Sequence, residues 1–201
     1  NWDNIPVMTQ LKRLVDVRGT ATDQDLEKCT NLTSLSISGD IQISDVGLKK
    51  LPYLRKLKLK NIQDMKPGQI TIEGLSRIEE LRLNKALMTR EQIQGMVGLR
   101  KFSIRNYRNL SSQALVGLIE LESIVLKGAT TIKMSELTHL GKLTELGISG
   151  PLGGEDEDFL AKFSNLQSLY INDIHLSNDG LFLRDLPLLT KLSMNHNTPV
   201  E

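Results

Sequence analysis

A short apolar pattern, LxxLxL, recurs along this chain at nearly constant spacing. Clear copies begin at residues 32, 54, 78, 99, 121, 143, 166 and 189, and a weaker copy, LKRLVD, begins at residue 11. Successive copies start 21 to 24 residues apart. Such a period is typical of solenoids, in which each repeat must stack on its neighbours to bury its apolar face.

A second pattern keeps step with the first. Segments such as ISDVGL (43 to 48) and MTREQI (88 to 93) place a helix-capping Ser or Thr before apolar residues at helical spacing. In the LxxLxL part, apolar residues alternate with outward polar ones, which predicts a short strand. We therefore predict an α/β fold: one right-handed solenoid domain over residues 1–201, with a curved parallel sheet on its concave side and short helices on its convex side.

The two phased patterns resemble those of leucine-rich-repeat proteins, and the resemblance covers residues 11 to 194. The segment ISDVGLKKL is similar to the ITDxGL phrase of cysteine-containing repeats in F-box substrate receptors, whereas the repeat length is closer to the shorter intracellular class. The resemblance implies a non-catalytic module that binds other proteins, with partners docking on the concave strand face.

One column departs from the family pattern. Three residues after the last strand leucine the family has Asn or Cys, whereas only Asn197 fits here. The preceding residue is nevertheless often one that favours a tight turn: Gly39, Asn61, Asn106, Gly128 and Gly150. We expect the turn to persist with a different hydrogen-bond scheme.

The two ends indicate a piece of a longer array. NWDNIPVMTQ has the spacing of the helical tail of a repeat whose strand is missing, and the chain stops just after a strand. In the first strand, Asp16 occupies a column that is apolar in the other repeats. Because an unpaired buried carboxylate is costly, we expect that strand to be shifted, with Val15 or Val17 inward.

Composition limits the cellular compartments and the kinds of chemistry that we expect for this chain. The one cysteine, Cys29, is expected to be a core thiol and favours a reducing, intracellular location, cytoplasmic or nuclear; secretion or surface exposure stays open. No run of about 18 apolar residues could span a membrane. The three histidines, His139, His175 and His196, lie in different repeats without metal-ligand spacing. We predict no enzyme activity, no metal and no cofactor.

The stretch LRKLKLKN (54 to 61) begins a cluster of outward basic residues. The repeats that start at 54, 78, 99 and 121 place seven of them on strand positions, against the single acid Glu80: Lys56, Lys58, Lys60, Arg82, Lys101, Arg105 and Lys127. Strand spacing of about 4.8 Å and alternate-residue spacing of about 6.8 Å predict a patch roughly 20 Å across.

Two interpretations of the seven residues stay open. They are a solvated strand face, or a partner-binding groove for a protein with an acidic segment. Nucleic acid is disfavoured because no aromatic residues are interleaved for base stacking and the net charge is +1. The function is accordingly either protein recognition, as in a substrate-recognition or effector domain, or that of a structural spacer without a dedicated partner.

Overall fold

The computed structural model describes residues 6–18, 21–39, 42–62, 76–86, 88–106, 110–128, 132–149, 158–172 and 180–195. The chain divides into two compact units, residues 1–99 and 100–201, called here the N-terminal and C-terminal units. Each unit is a stack of repeats with its own parallel strands and its own buried leucines.

The strands of each unit pair in chain order. The N-terminal unit contains β1 (Arg13–Arg18), β2 (Ser34–Ser38), β3 (Lys56–Ile62) and β4 (Glu80–Ala86). The C-terminal unit contains β5 (Lys101–Arg105), β6 (Ser123–Lys127), β7 (Glu145–Ser149), β8 (Ser168–Asn172) and β9 (Lys191–Asn195). Every one of these strands begins two residues after a predicted repeat start.

Short helical segments follow the strands. The α-helices are α1 (Asp23–Leu26), α2 (Asp45–Lys49) and α3 (Arg90–Gln94). Other repeats use 3-10 turns at Glu27–Cys29, Ser112–Leu115, Met134–Leu137 and Leu181–Asp185. The predicted capping is confirmed at α2, where the Ser44 hydroxyl accepts a hydrogen bond from the Val46 backbone N–H at 3.1 Å.

The core of each unit consists of apolar rows that run across the strands. In the N-terminal unit, Leu35, Leu57 and Leu81 are cross-strand partners, and each is at most 1% exposed. Burying a leucine side chain in this way contributes about 1.5–3 kcal/mol to folding. Because successive side chains along a strand point to opposite faces, the residues next to each leucine on its own strand point away from the core.

The turn after the strand is the one predicted from its Gly and Asn residues. The residue seven positions after the repeat start has a positive φ at Gly39 (82°), Asn61 (52°), Asn106 (55°) and Gly128 (75°). Lys85 has the same conformation, with φ of 49°, although lysine is disfavoured there by about 1–2 kcal/mol. The repeat therefore imposes the turn even where the residue opposes it.

Strand β1 is irregular, as predicted from Asp16. Its register against β2 shifts between Leu14 and Val17. Val17 is 4% exposed and pairs with Ile37, whereas Val15 is 63% exposed. Asp16 sits in the bulge with a φ of 55°, so its carboxylate stays out of the core.

Candidate functional site

The seven basic residues all lie on strands, and each is next to at least one buried residue in the sequence. The N-terminal basic set comprises Lys56, Lys58 and Lys60 on β3 and Arg82 on β4. The C-terminal basic set comprises Lys101 and Arg105 on β5 and Lys127 on β6. Cross-strand pairing places Lys58 beside Arg82 and Arg105 beside Lys127. Each set therefore shares the outward strand face of its unit.

Glu80 holds two cations of the N-terminal basic set. Its carboxylate lies 3.0 Å from Lys56 Nζ and 2.7 Å from Arg82 Nη2. Arg82 Nε also donates a hydrogen bond to Glu80 Oε1 at 2.7 Å. Partial burial raises the pKa of Glu80, but the hydrogen bonds from Lys56 and Arg82 outweigh it, and the net pKa is lowered. Glu80 is therefore ionised at neutral pH and neutralises part of this surface.

Asp16 is a second acid on the same face, which sequence analysis did not count. Its carboxylate accepts a hydrogen bond from Lys60 Nζ at 2.9 Å. The hydrogen bond from Lys60 is the main cause of the lowered pKa of Asp16. The two residues come from β1 and β3, so the contact crosses β2, where the small side chain of Ser38 leaves room for it.

The C-terminal basic set contrasts with this arrangement. Within the described ranges, no carboxylate lies within ion-pairing distance of Lys101, Arg105 or Lys127. Glu145 of β7 instead accepts a hydrogen bond from Ser123 Oγ at 2.7 Å. Like charges on directly opposed strand residues are destabilising, so the Arg105–Lys127 pair has a cost that folding alone does not require.

The cysteine and histidine side chains are the residue types that could serve in catalysis, and those that the structure describes contact core or backbone atoms. Cys29 is fully buried, as predicted, and that burial raises the pKa of its thiol. The His139 ring nitrogens lie 2.9 Å from the Glu136 carbonyl oxygen and 3.3 Å from that of Leu115. His175 and His196 fall outside the described residues. Across the part of the chain that the structure describes, no three His, Cys, Asp or Glu side chains are grouped to hold a metal ion.

No helix in the described ranges has the length and apolar character needed to cross a membrane. The clustered basic residues lie on the outward strand faces of the two units. Both faces are built from the same repeat positions, so their difference in charge pairing comes from which acids neighbour them.

Comparison with known proteins identifies the fold. No protein-family model and no curated protein matches the sequence. A solved structure of internalin C2 from Listeria monocytogenes is 24% identical over 90% of this chain and 77% of that chain, with a TM-score of 0.62. An internalin (inlF) from the same organism is 21% identical over 87% of this chain and 58% of that one, with a TM-score of 0.55.

These similarities, together with the parallel strands and short helices, show an α/β leucine-rich-repeat solenoid. The fold predicted from sequence is confirmed. The structural neighbours are internalins, and nothing in the comparisons supports the more specific likeness to F-box receptors.

Proposed function

We propose that this protein is a non-catalytic recognition module that binds a partner protein through the outward strand faces of its repeats. The observation that carries the proposal is the Arg105–Lys127 pair, two adjacent cations with no carboxylate near them among the described residues. Such a pair is stabilised when an anionic group is placed between the two charges. A solvated face does not require the two cations to be neighbours.

The partner we propose carries an acidic protein segment. The N-terminal basic set retains an excess of two positive charges after Glu80 and Asp16 are subtracted from its four cations. The three cations of the C-terminal basic set have no such compensation within the described ranges. Complementary charge of this kind steers and orients protein partners. Nucleic acid fits less well, because the basic sets contain no aromatic side chains for base stacking.

Site-specific photo-crosslinking tests the proposal. A photoreactive residue at Ser103, on the strand face, is expected to form adducts whose cross-linked peptides are acidic by mass spectrometry. The same residue at Gln113, in the 3-10 turn at Ser112–Leu115, is the control and is expected to form none. Equal adduct formation at both positions would contradict docking on the strand face.

The second candidate is a structural spacer, whose polar strand face serves solubility alone. It predicts no specific adduct from either position. The observation that favours it is the internal pairing of the N-terminal basic set, since Glu80 and Asp16 already occupy three of its four cations. The C-terminal basic set, which has no ion-pair partner among the described residues, favours recognition instead.

The finer proposals concern biological setting. The resemblance of ISDVGLKKL to F-box receptor repeats supports a substrate-recognition role, and the internalin-like fold is equally compatible with an effector domain. An intracellular location is supported by the free, buried thiol of Cys29. The natural sequence on the N-terminal side of Asn1 separates these settings, because an F-box there implies a ligase and a secretion signal implies export.

A further inference from the structure

The middle row of the C-terminal strand face has an apolar centre between Ser103 of β5 and Ser193 of β9. Cross-strand pairing places Val125 of β6 beside Gly147 of β7, and Gly147 beside Tyr170 of β8. These residues point outward, because the core side chains of β7 are its neighbours Leu146 and Ile148. Val125 and Tyr170 are half-buried, so each keeps part of its apolar surface in contact with solvent. The core on the opposite face does not require apolar residues here.

Val125 covers Gly147 in this row. A Cβ atom at Gly147 would lie 3.1 Å from Val125 Cγ1, closer than an ordinary contact, and Gly147 is itself buried. The surface that the row presents to solvent therefore consists of the aliphatic side chain of Val125 and the ring of Tyr170, whose centroid lies 5.3 Å from Lys191 Nζ. A partner's apolar side chain placed against Val125 and Tyr170 would remove surface of both residues from water.

Charge is distributed unequally on the two sides of the apolar row. Lys127 follows Val125 by two residues on β6 and lies beside Arg105. On the other side, Glu145 precedes Gly147 by two residues and presents a carboxylate that binds Ser123. The row of Glu145 continues across Ser168 to Lys191, so the second side carries both signs of charge. An acidic partner residue is therefore attracted more strongly by the first side, where Arg105 and Lys127 are adjacent.

We propose that the C-terminal strand face binds an extended acidic segment through an apolar anchor residue, which packs against the exposed parts of Val125 and Tyr170. The anchor is accompanied, two residues away, by a carboxylate that binds Arg105 and Lys127. This inference rests on the proposed function and adds to it the chemistry of the segment. Charge complementarity with Arg105 and Lys127, which have no ion-pair partner in the described ranges, selects this occupant.

The spacing of two residues follows from strand geometry. Alternate residues of an extended chain lie on one side and are about 6.8 Å apart, which matches the separation of the apolar row and the row of Lys127. A helical segment would place residues i and i+3 or i+4 on one side, at about 5 to 6 Å. An extended segment therefore reaches the apolar surface of Val125 and Tyr170 and the two cations together.

The test uses the peptide Gly-Ser-Phe-Ser-Glu-Glu-Ser-Gly and its reversed sequence, titrated into the isotopically labelled full chain. At least one of the two peptides is expected to shift the backbone amide signals of Gly147 and Lys127. Replacing Phe by Ser in the peptide is expected to weaken binding at least about tenfold, as is replacing both Glu residues by Gln. These peptide changes leave the protein untouched, so its folding does not affect the result.

Matched protein variants complete the test. Tyr170→Ser and the double reversal Arg105→Glu, Lys127→Glu are each expected to weaken binding at least about tenfold. Their controls are Ile119→Ser, which alters an apolar residue 57% exposed outside the strands, and Lys133→Glu, which reverses an exposed lysine beside the Met134–Leu137 turn. The controls are expected to change binding less than twofold.

The outcomes separate the two levels of the proposal. Equal binding of the Phe and Ser peptides would overturn the anchor while leaving recognition of an acidic segment in place. Equal binding of the Glu and Gln peptides would overturn the acidic partner itself. Failure of both peptides to bind at millimolar concentration would overturn the anchor and the acidic partner together.

Discussion

The outward strand faces of the two units both carry basic residues at outward repeat positions, but they differ in whether carboxylates pair with those residues. On β3 and β4, Lys56 and Arg82 share the carboxylate of Glu80, and Lys60 is held by Asp16. On β5 and β6, Arg105 and Lys127 stand side by side without a carboxylate partner among the described residues. The number of basic residues on a face therefore does not determine how many of them are available to a ligand.

The difference arises from single acids placed among the cations. Lys56 and Arg82 are exposed although Glu80 is mostly buried, and ion pairs open to solvent on one side typically add about 0.2–1 kcal/mol to stability. Their larger effect is on the potential that a partner meets. The C-terminal strand face is therefore the stronger candidate for docking, and four predictions test this comparison.

The largest effect is expected from the register that both faces share. Leu57→Asp places a charge at a position 1% exposed and should cost more than about 3 kcal/mol in the free energy of unfolding. Lys58→Asp alters the adjacent outward position and should cost less than about 1 kcal/mol. Thermal and urea unfolding measure both values. Comparable losses of stability in the two variants would contradict the assignment of Leu57 to the buried face of β3 and of Lys58 to its outward face.

The next effect concerns binding. An oligoglutamate peptide is expected to bind the wild-type chain, more weakly as salt rises, because exposed charges are screened over about 8 to 10 Å near physiological ionic strength. Reversal of Arg105 and Lys127 to Glu should reduce its affinity at least about tenfold. Reversal of Lys56 and Arg82 should reduce it less, because Glu80 already engages both. Equal losses of affinity, measured by calorimetry, would show that the two faces do not differ in their availability to an acidic ligand.

A smaller effect is expected in the turn after the strand. Lys85 lies near the end of β4 in the N-terminal unit, and Gly128 comes directly after β6. Both residues have a positive φ. Lys85→Gly should stabilise by up to about 1 kcal/mol, and Gly128→Lys should destabilise by about 1 kcal/mol, through backbone strain. A Cβ at Gly128 would meet its nearest atom at 3.8 Å, so no clash contributes. Destabilisation by Lys85→Gly would show that this turn is held by the lysine side chain.

The smallest effect tests Glu80 directly. Glu80→Gln should cost less than about 1 kcal/mol but should raise oligoglutamate affinity at the N-terminal face a few-fold, since Lys56 and Arg82 lose their partner. Because the pKa of Glu80 is lowered in the folded protein, its contribution to stability is present above its ordinary value of 4.5 and is lost as pH falls through the lower, folded value.

The difference in melting temperature between wild type and Glu80→Gln should therefore be present at pH 6 and shrink below pH 4.5. A difference that grows on acidification would have the wrong sign for a carboxylate stabilised by Lys56 and Arg82. Lys58→Gln, measured alongside, controls for a general change of charge on the same face.

Much of the site could be predicted from the sequence, because residue spacing within one repeat determines whether a side chain points inward or outward. The alternation in LRKLKL places Leu57 and Leu59 inward and the three lysines outward, and the structure has that arrangement. The irregularity at Asp16 was also predicted, because a carboxylate in an apolar column signals a shifted strand. The role of Asp16 as the partner of Lys60 was not, since the two residues are 44 positions apart in the chain.

The sequence by itself determined the repeat phase, the strand starts, the inward columns and the Gly or Asn turn, because each depends on residue type at a fixed spacing within one repeat. The tertiary structure alone decided which cations are neutralised and which outward residues surround Gly147. Those properties depend on distances between side chains of different repeats, and a pair such as Lys60 and Asp16 forms only when β1, β2 and β3 lie side by side.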